Sequence, residues 1–105
     1  MLMRASKRRR LRAAGFTVGD ARRFLGLTAA DSAIVEIRLA LATGLRRRRL
    51  AAGLTQTALA KRIGSSQSRV AKMEGGDPTV SLELLIRSLT AVGAARKEIA
   101  KLVAA

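Results

Sequence analysis

Residues 55–74, TQTALAKRIGSSQSRVAKME, constrain the fold of this chain more than any other stretch. Their spacing predicts two short amphipathic helices joined by a tight turn at Gly64. The inward positions are Leu59, Ala60 and Ile63 on the first helix, and Val70 and Met73 on the second. Helical periodicity places each set on one face. Ala60 is small, so the second helix can cross close to the first. Gly64 can adopt the left-handed conformation that ends a helix. Ser66 can then cap the next helix, its hydroxyl accepting a bond from an orphan backbone N–H.

The rest of the composition agrees with a helical chain. At 105 residues there is one domain's worth of sequence, with a modest core. Hydrophobic residues make up 49%, but the aromatics are only Phe16 and Phe24, so the core must be aliphatic. A single proline and an abundance of Ala, Leu and Arg favour an all-α fold. The net charge of +14, from 21 Lys and Arg against 7 acids, calls for a polyanionic partner.

Several chemistries are excluded. Cys and His are both absent, so disulfides, thiol nucleophiles, Cys/His zinc sites and His general bases are ruled out. The carboxylates are scattered singly, with no spacing that suggests a metal site or an acid/base pair. The expectation is a protein that is not an enzyme and uses no cofactor or metal. The basic N-terminus is not followed by an apolar run, so no secretory signal is expected. The most apolar stretch, Ala33–Ala42, contains Glu36 and Arg38 and is too short to span a bilayer. A cytoplasmic, nucleoid-associated protein without membrane contact is expected.

Three regions follow from a pass along the chain. Residues 1–14 form a basic arm holding Arg4, Lys7, Arg8, Arg9, Arg10 and Arg12 with no acid; such an arm can be solvated or can contact phosphates. Residues 15–44 form a helical extension that offers a dimer or partner surface. GFTVG is a turn-rich link, Asp20 caps a short helix Ala21–Leu25, and Gly26 with Leu27 ends it. Thr28 to Asp31 then form a capping box that starts a long helix to about Ala52. Its first half, Ala33 to Ala42, is apolar nearly all round and so predicts burial on every side; the cover is the Phe16/Phe24/Leu25/Leu27 segment folding back, a protein partner, or a second subunit, and the last makes a homodimer the expectation. Residues 45–105 hold the remaining helices. Thr55 caps about Gln56–Ile63, and the next runs about Gln67–Glu74 until Gly75-Gly76 stops it. Ser81 caps a helix whose apolar face is Leu82, Leu85, Ile86 and Leu89. A last helix, Ala95–Val103, offers Ile99 and Leu102.

Residues 54–74 resemble the lambda-repressor-like (XRE, Cro-type) helix-turn-helix proteins. The residues that carry the resemblance are Leu54-Thr55-Gln56, Leu59-Ala60, Ile63-Gly64, Ser66-Gln67-Ser68, Val70 and Met73-Glu74. The SLELLIRSLTAVG that follows fits the family's fourth helix, and the resemblance covers roughly residues 45–103. It departs at Ser65, where a small apolar residue is common. It implies a five-helix domain whose second motif helix enters the major groove of double-stranded operator DNA.

The outward face of that reading helix, opposite Val70 and Met73, centres on Ser68 and Lys72. Positions that read base edges in the family correspond here to Gln67, Ser68 and Lys72. A glutamine can be bidentate to adenine, and a lysine can donate to guanine. Thr55, Gln56, Arg69, Arg46 and Arg49 are the expected phosphate contacts. The run Arg46 to Arg49 spans most of a helical turn, so its members cannot all face one partner. The resemblance also pairs Arg49 with Glu74 as a structural brace. Gly64 and Ala60 serve the turn and the helix crossing.

Closest in appearance are HigA-type antitoxins, which repress their own operon and bind a RelE/ParE-like toxin. This implies an autorepressor that binds a toxin, and three alternatives stand beside it: a stand-alone phage-type or bacterial repressor, a protein-interaction adaptor with a repressor-like fold, and a basic RNA-binding protein. The lack of Tyr and Trp argues against the last.

Overall fold

A computed structural model describes residues 28–105. The basic arm, the GFTVG link and the short helix expected at Ala21–Leu25 lie outside the described residues. Five helices follow: α1 (Ala29–Ala51), α2 (Gln56–Arg62), α3 (Gln67–Glu74), α4 (Leu82–Ala91) and α5 (Arg96–Ala104). There is no strand among the described residues. None of these helices is long and apolar enough to cross a membrane.

The helix starts follow from local chemistry. Thr28 caps α1 in a full capping box: its hydroxyl accepts from Asp31 N, and the Asp31 carboxylate accepts from Thr28 N. The Thr28 hydroxyl also donates to Asp31 Oδ2 at 2.8 Å, and this bond, followed by the one from Thr28 N, holds the Asp31 carboxyl below its ordinary pKa. Thr55, Ser66 and Ser81 cap α2, α3 and α4, each accepting the backbone N–H three residues on. Each hydroxyl satisfies one donor that the first helical turn leaves without a partner. Only α5 starts without a side-chain cap, at Ala95.

The helix ends share one device. At the close of α2, Gly64 has φ +66°. Ser65 N donates to Ala60 O at 2.8 Å and Gly64 N to Lys61 O at 3.3 Å. This is a Schellman motif, and its left-handed residue favours glycine. Gly53, Gly76 and Gly93 close α1, α3 and α4 in the same way. The stop after the reading helix thus uses Gly76 as its left-handed residue, with Gly75 still right-handed.

The core gathers around the second half of α1, which packs against α3, α4 and α5. Leu41 and Leu45 of α1 meet Leu59, Val70, Met73, Leu85 and Leu89, all completely buried. Gly44 lets α5 come close: a Cβ built there would fall 2.5 Å from Leu102 Cδ1. The expectation of burial on every side for Ala33–Ala42 holds only at its end, where Leu41 and Ala42 are buried; Val35, Ile37, Leu39 and Ala40 are half-buried. It fails further upstream. Ala33 is exposed and Ile34 is 44% exposed. The apolar face of α4 also differs from expectation. Leu85 and Leu89 are buried, but Ile86 is 41% exposed and Ser88 takes the inward position. Ser88 can do so because its hydroxyl donates to Leu84 O at 2.8 Å and lies 3.4 Å from Met73 Sδ. A buried hydroxyl with such partners carries little penalty.

Candidate nucleic-acid interface

The local geometry of α2 and α3 fixes what this surface presents. Val70 and Met73 point into the core, and Ala60 is buried where the two helices cross. That leaves Gln67, Ser68, Arg69 and Lys72 exposed on α3. Lys72 and Arg69 make no side-chain bond among the described residues, so their charges face solvent.

Behind this face lies a chain of polar contacts. Arg49 donates from Nε to Glu74 Oε2 at 2.6 Å and from Nη2 to Glu74 Oε1 at 3.0 Å. A third donor, Nη1, reaches Leu54 O at 2.8 Å. The side chains are only 9% and 4% exposed. The fork-on-carboxylate geometry is the strong, bidentate kind. It raises the Arg49 pKa, hydrogen bonding to Glu74 outweighing the opposing effect of burial. Gln56 Nε2 donates to Glu74 Oε1 at 3.2 Å, and Gln67 Nε2 donates to Gln56 Oε1 at 2.7 Å. The end of α1 thus holds the end of α3, which orients the first residue of α2, which orients the first residue of α3.

This chain leaves selected atoms available. An amide nitrogen has two hydrogens. Gln67 spends one on Gln56, keeping the other and its Oε1 for a base. Gln56 likewise keeps one N–H. Thr55 accepts from Ala58 N and retains its own hydroxyl proton. Arg49 is largely committed to Glu74 and Leu54, so bracing is its main work.

Two hollows flank the ridge of α3. One, of about 480 Å³, lies toward α1 and is lined by residues that include Arg46, Arg49, Gln56, Ala71 and Glu74. The other, of about 190 Å³, is bordered by Ser66, Ser68, Arg69, Lys72, Thr79 and Val80. The four arginines of the run at 46–49 diverge. Arg46 enters the first hollow and Arg47 is exposed. Arg48 turns to α5, where it pairs with Glu98, and it also donates to Val92 O at the end of α4. Arg49 turns to Glu74.

Sequence reasoning located Gln67, Ser68, Arg69 and Lys72 on one exposed surface and put Gln56, Arg46, Arg49 and Glu74 beside it. It missed the Gln56–Gln67 bond and the border supplied by Thr79 and Val80. The first had a weak signal, an amide at the start of each motif helix. The second had none. No group of three or more His, Cys, Asp or Glu that could hold a metal occurs among the described residues.

A family model described as a helix-turn-helix domain matches residues 40–102. The chain belongs to the helix-turn-helix domain family, with an all-α lambda-repressor-like fold. No curated protein and no solved structure matches it. The matched segment begins inside α1, so the first turns of that helix lie outside the family unit.

Proposed function

We propose that this protein is a sequence-specific double-stranded DNA-binding transcriptional regulator that acts as a homodimer. The observation that carries this reading is the exposed face Gln67, Ser68 and Lys72 on a helix braced from behind by Gln56, Glu74 and Arg49. A base-reading helix needs its side chains held before it meets DNA, and the amide chain does that for Gln67. The convex ridge with a hollow on each side suits a major groove bounded by two phosphate strands. Arg46, Gln56 and Thr55 would meet one strand, and Arg69 the other. The +14 charge would supply the sequence-independent part of the affinity.

The homodimer reading rests on Ala33 and Ile34, exposed on the apolar half of α1. Two-fold pairing would place reading helices about 34 Å apart and call for a palindromic site. The finer role, an autorepressing antitoxin with a RelE/ParE-like toxin, rests on the resemblance to HigA-type proteins.

Footprinting on the gene's own upstream DNA tests the reading. A protected palindrome, strengthened or relieved by the neighbouring gene product, is the expected result. Uniform weak protection that vanishes with modest salt would contradict it.

A further inference from the structure

Arg38 lies on α1 before the segment matched by the family model. Its guanidinium Nη1 donates to the backbone carbonyl of Val80. One residue on, Leu39 covers Gly76 so closely that a Cβ added there would sit 2.8 Å from Leu39 Cδ2. Two adjacent side chains of α1 therefore grip both ends of the segment 76–80. The segment is also tied within itself and to the reading helix. Asp77 N donates to Lys72 O at 3.1 Å, and Thr79 donates from N and Oγ1 to Asp77 Oδ1 at 2.8 and 2.6 Å. Thr79 and Val80 share a hollow with Lys72.

We propose that Arg38 is a positioning residue for base reading: by holding Val80 it fixes the 77–80 segment, which meets the end of α3 at Lys72 O and whose Thr79 and Val80 border the hollow beside Lys72. This rests on the DNA-reading function proposed above. With Arg38 gone, the segment loses its tether to α1, the wall of that hollow is no longer fixed, and Lys72 is no longer held in register for a base. Nonspecific attraction changes little, because one positive charge of many is removed. Discrimination between sequences falls, because a base contact is lost.

The test is a double-mutant cycle on discrimination. A duplex is selected from a randomised pool by the full-length wild-type protein, and a scrambled duplex of equal length serves as the reference. Arg38→Ala should lower the ratio of the two affinities by about ten-fold, the factor that corresponds to about 1.4 kcal/mol. In a Lys72→Ala background the same change should lower it no further. Arg38→Lys, which can still donate to the Val80 carbonyl, should restore part of the ratio, whereas global stability read by urea melts should not track the ratio across the variants. If Arg38→Ala fails to fold, Arg38→Met keeps the stem of the side chain and is read the same way. Equal losses on both duplexes, or a full additional loss beyond Lys72→Ala, would overturn the proposal while leaving DNA reading intact. A wild-type protein that enriches no sequence would overturn the DNA-reading function itself, and this proposal with it.

Discussion

Ser65 and Glu74 illustrate how single side chains set the quality of this surface. The Ser65 hydroxyl is buried in the turn between α2 and α3 and has no hydrogen-bond partner. An unsatisfied buried hydroxyl costs about 1–3 kcal/mol, and an apolar replacement removes that cost. Ser65→Ala should therefore raise stability by about 1 kcal/mol, with DNA affinity unchanged. Urea melts check the first and duplex titration the second; a less stable variant would mean that the hydroxyl has a role the contacts do not reveal. Glu74 is the opposite case, satisfied on both oxygens. Breaking a buried pair by removing one member costs about 3–5 kcal/mol. Glu74→Ala should fall near the lower end, because Arg49 keeps its bond to Leu54 O. Since Arg49→Ala also removes the stranded charge, the double mutant should be less destabilised than the sum of the singles. Strict additivity in denaturant melts would make the two residues energetically independent.

At the scale of elements, α5 docks through partly buried side chains. None of its residues is fully buried, and it begins uncapped. It is held by Leu102 in the notch at Gly44 and by Glu98 against Arg48. Gly44→Ala gains about 1 kcal/mol of helix propensity but forces Leu102 aside, and overpacking costs about 1–3 kcal/mol. The expected net effect is destabilising. In a Leu102→Ala background the notch is empty, so the same substitution should become stabilising. A change of sign between the two backgrounds, read by thermal melts, is the expected outcome; the same sign in both would show that the contact does not limit α5. Glu98 adds a pH dependence. The bond from Arg48 lowers its pKa in the fold. The ionised form therefore stabilises the fold above the unfolded value, and this contribution is lost as pH falls through the folded one. Protection of the α5 amides against hydrogen exchange, taken relative to the intrinsic rate at each pH, should fall below about pH 4.3, the ordinary glutamate value. Glu98→Gln should make α5 exchange less dependent on pH in that range. An unchanged pH profile in that variant would assign the acid sensitivity to other carboxylates, such as Asp77 or Asp31.

What was legible in the sequence at this scale has a physical pattern. Helix starts were readable because Thr28, Thr55, Ser66 and Ser81 act within three residues of themselves. Helix ends were readable because a Schellman stop needs a glycine at one place. The Arg49–Glu74 brace came from resemblance, not from spacing. Contacts without local periodicity escaped notice: Arg38 to Val80, Arg48 to Glu98, and Gln67 to Gln56. The face Leu82, Leu85, Ile86 and Leu89 has helical spacing, but the core side is centred on Leu85, Ser88 and Leu89, which leaves Ile86 at the edge; Ser88 fits inward because its hydroxyl finds Leu84 O.

At the scale of the whole molecule, the reading helix is supported from two directions. The amide and carboxylate chain anchors its first and last residues to α1 and α2. Beyond its end, the 76–80 segment is gripped by Arg38 and Leu39. Both supports run through α1, so this one long helix ties the DNA-facing surface to the apolar stretch around Ile34. A second subunit on that stretch would act on the same helix that braces the reading face. DNA discrimination on the proposed function is a property of α3 as held by α1, with nonspecific affinity spread over many cations.

The measurement that tests this most directly compares wild type, Lys72→Ala and Arg69→Ala on a selected and a scrambled duplex at one salt concentration. The wild type should prefer the selected duplex by at least about a thousand-fold, the lower end for specific binders. Lys72→Ala should cut that preference by about 1–3 kcal/mol, the worth of one good base contact. Arg69→Ala should weaken both duplexes alike. A wild-type protein that binds the two duplexes equally, or a Lys72→Ala protein that keeps the full preference, would contradict the assignment of the reading face.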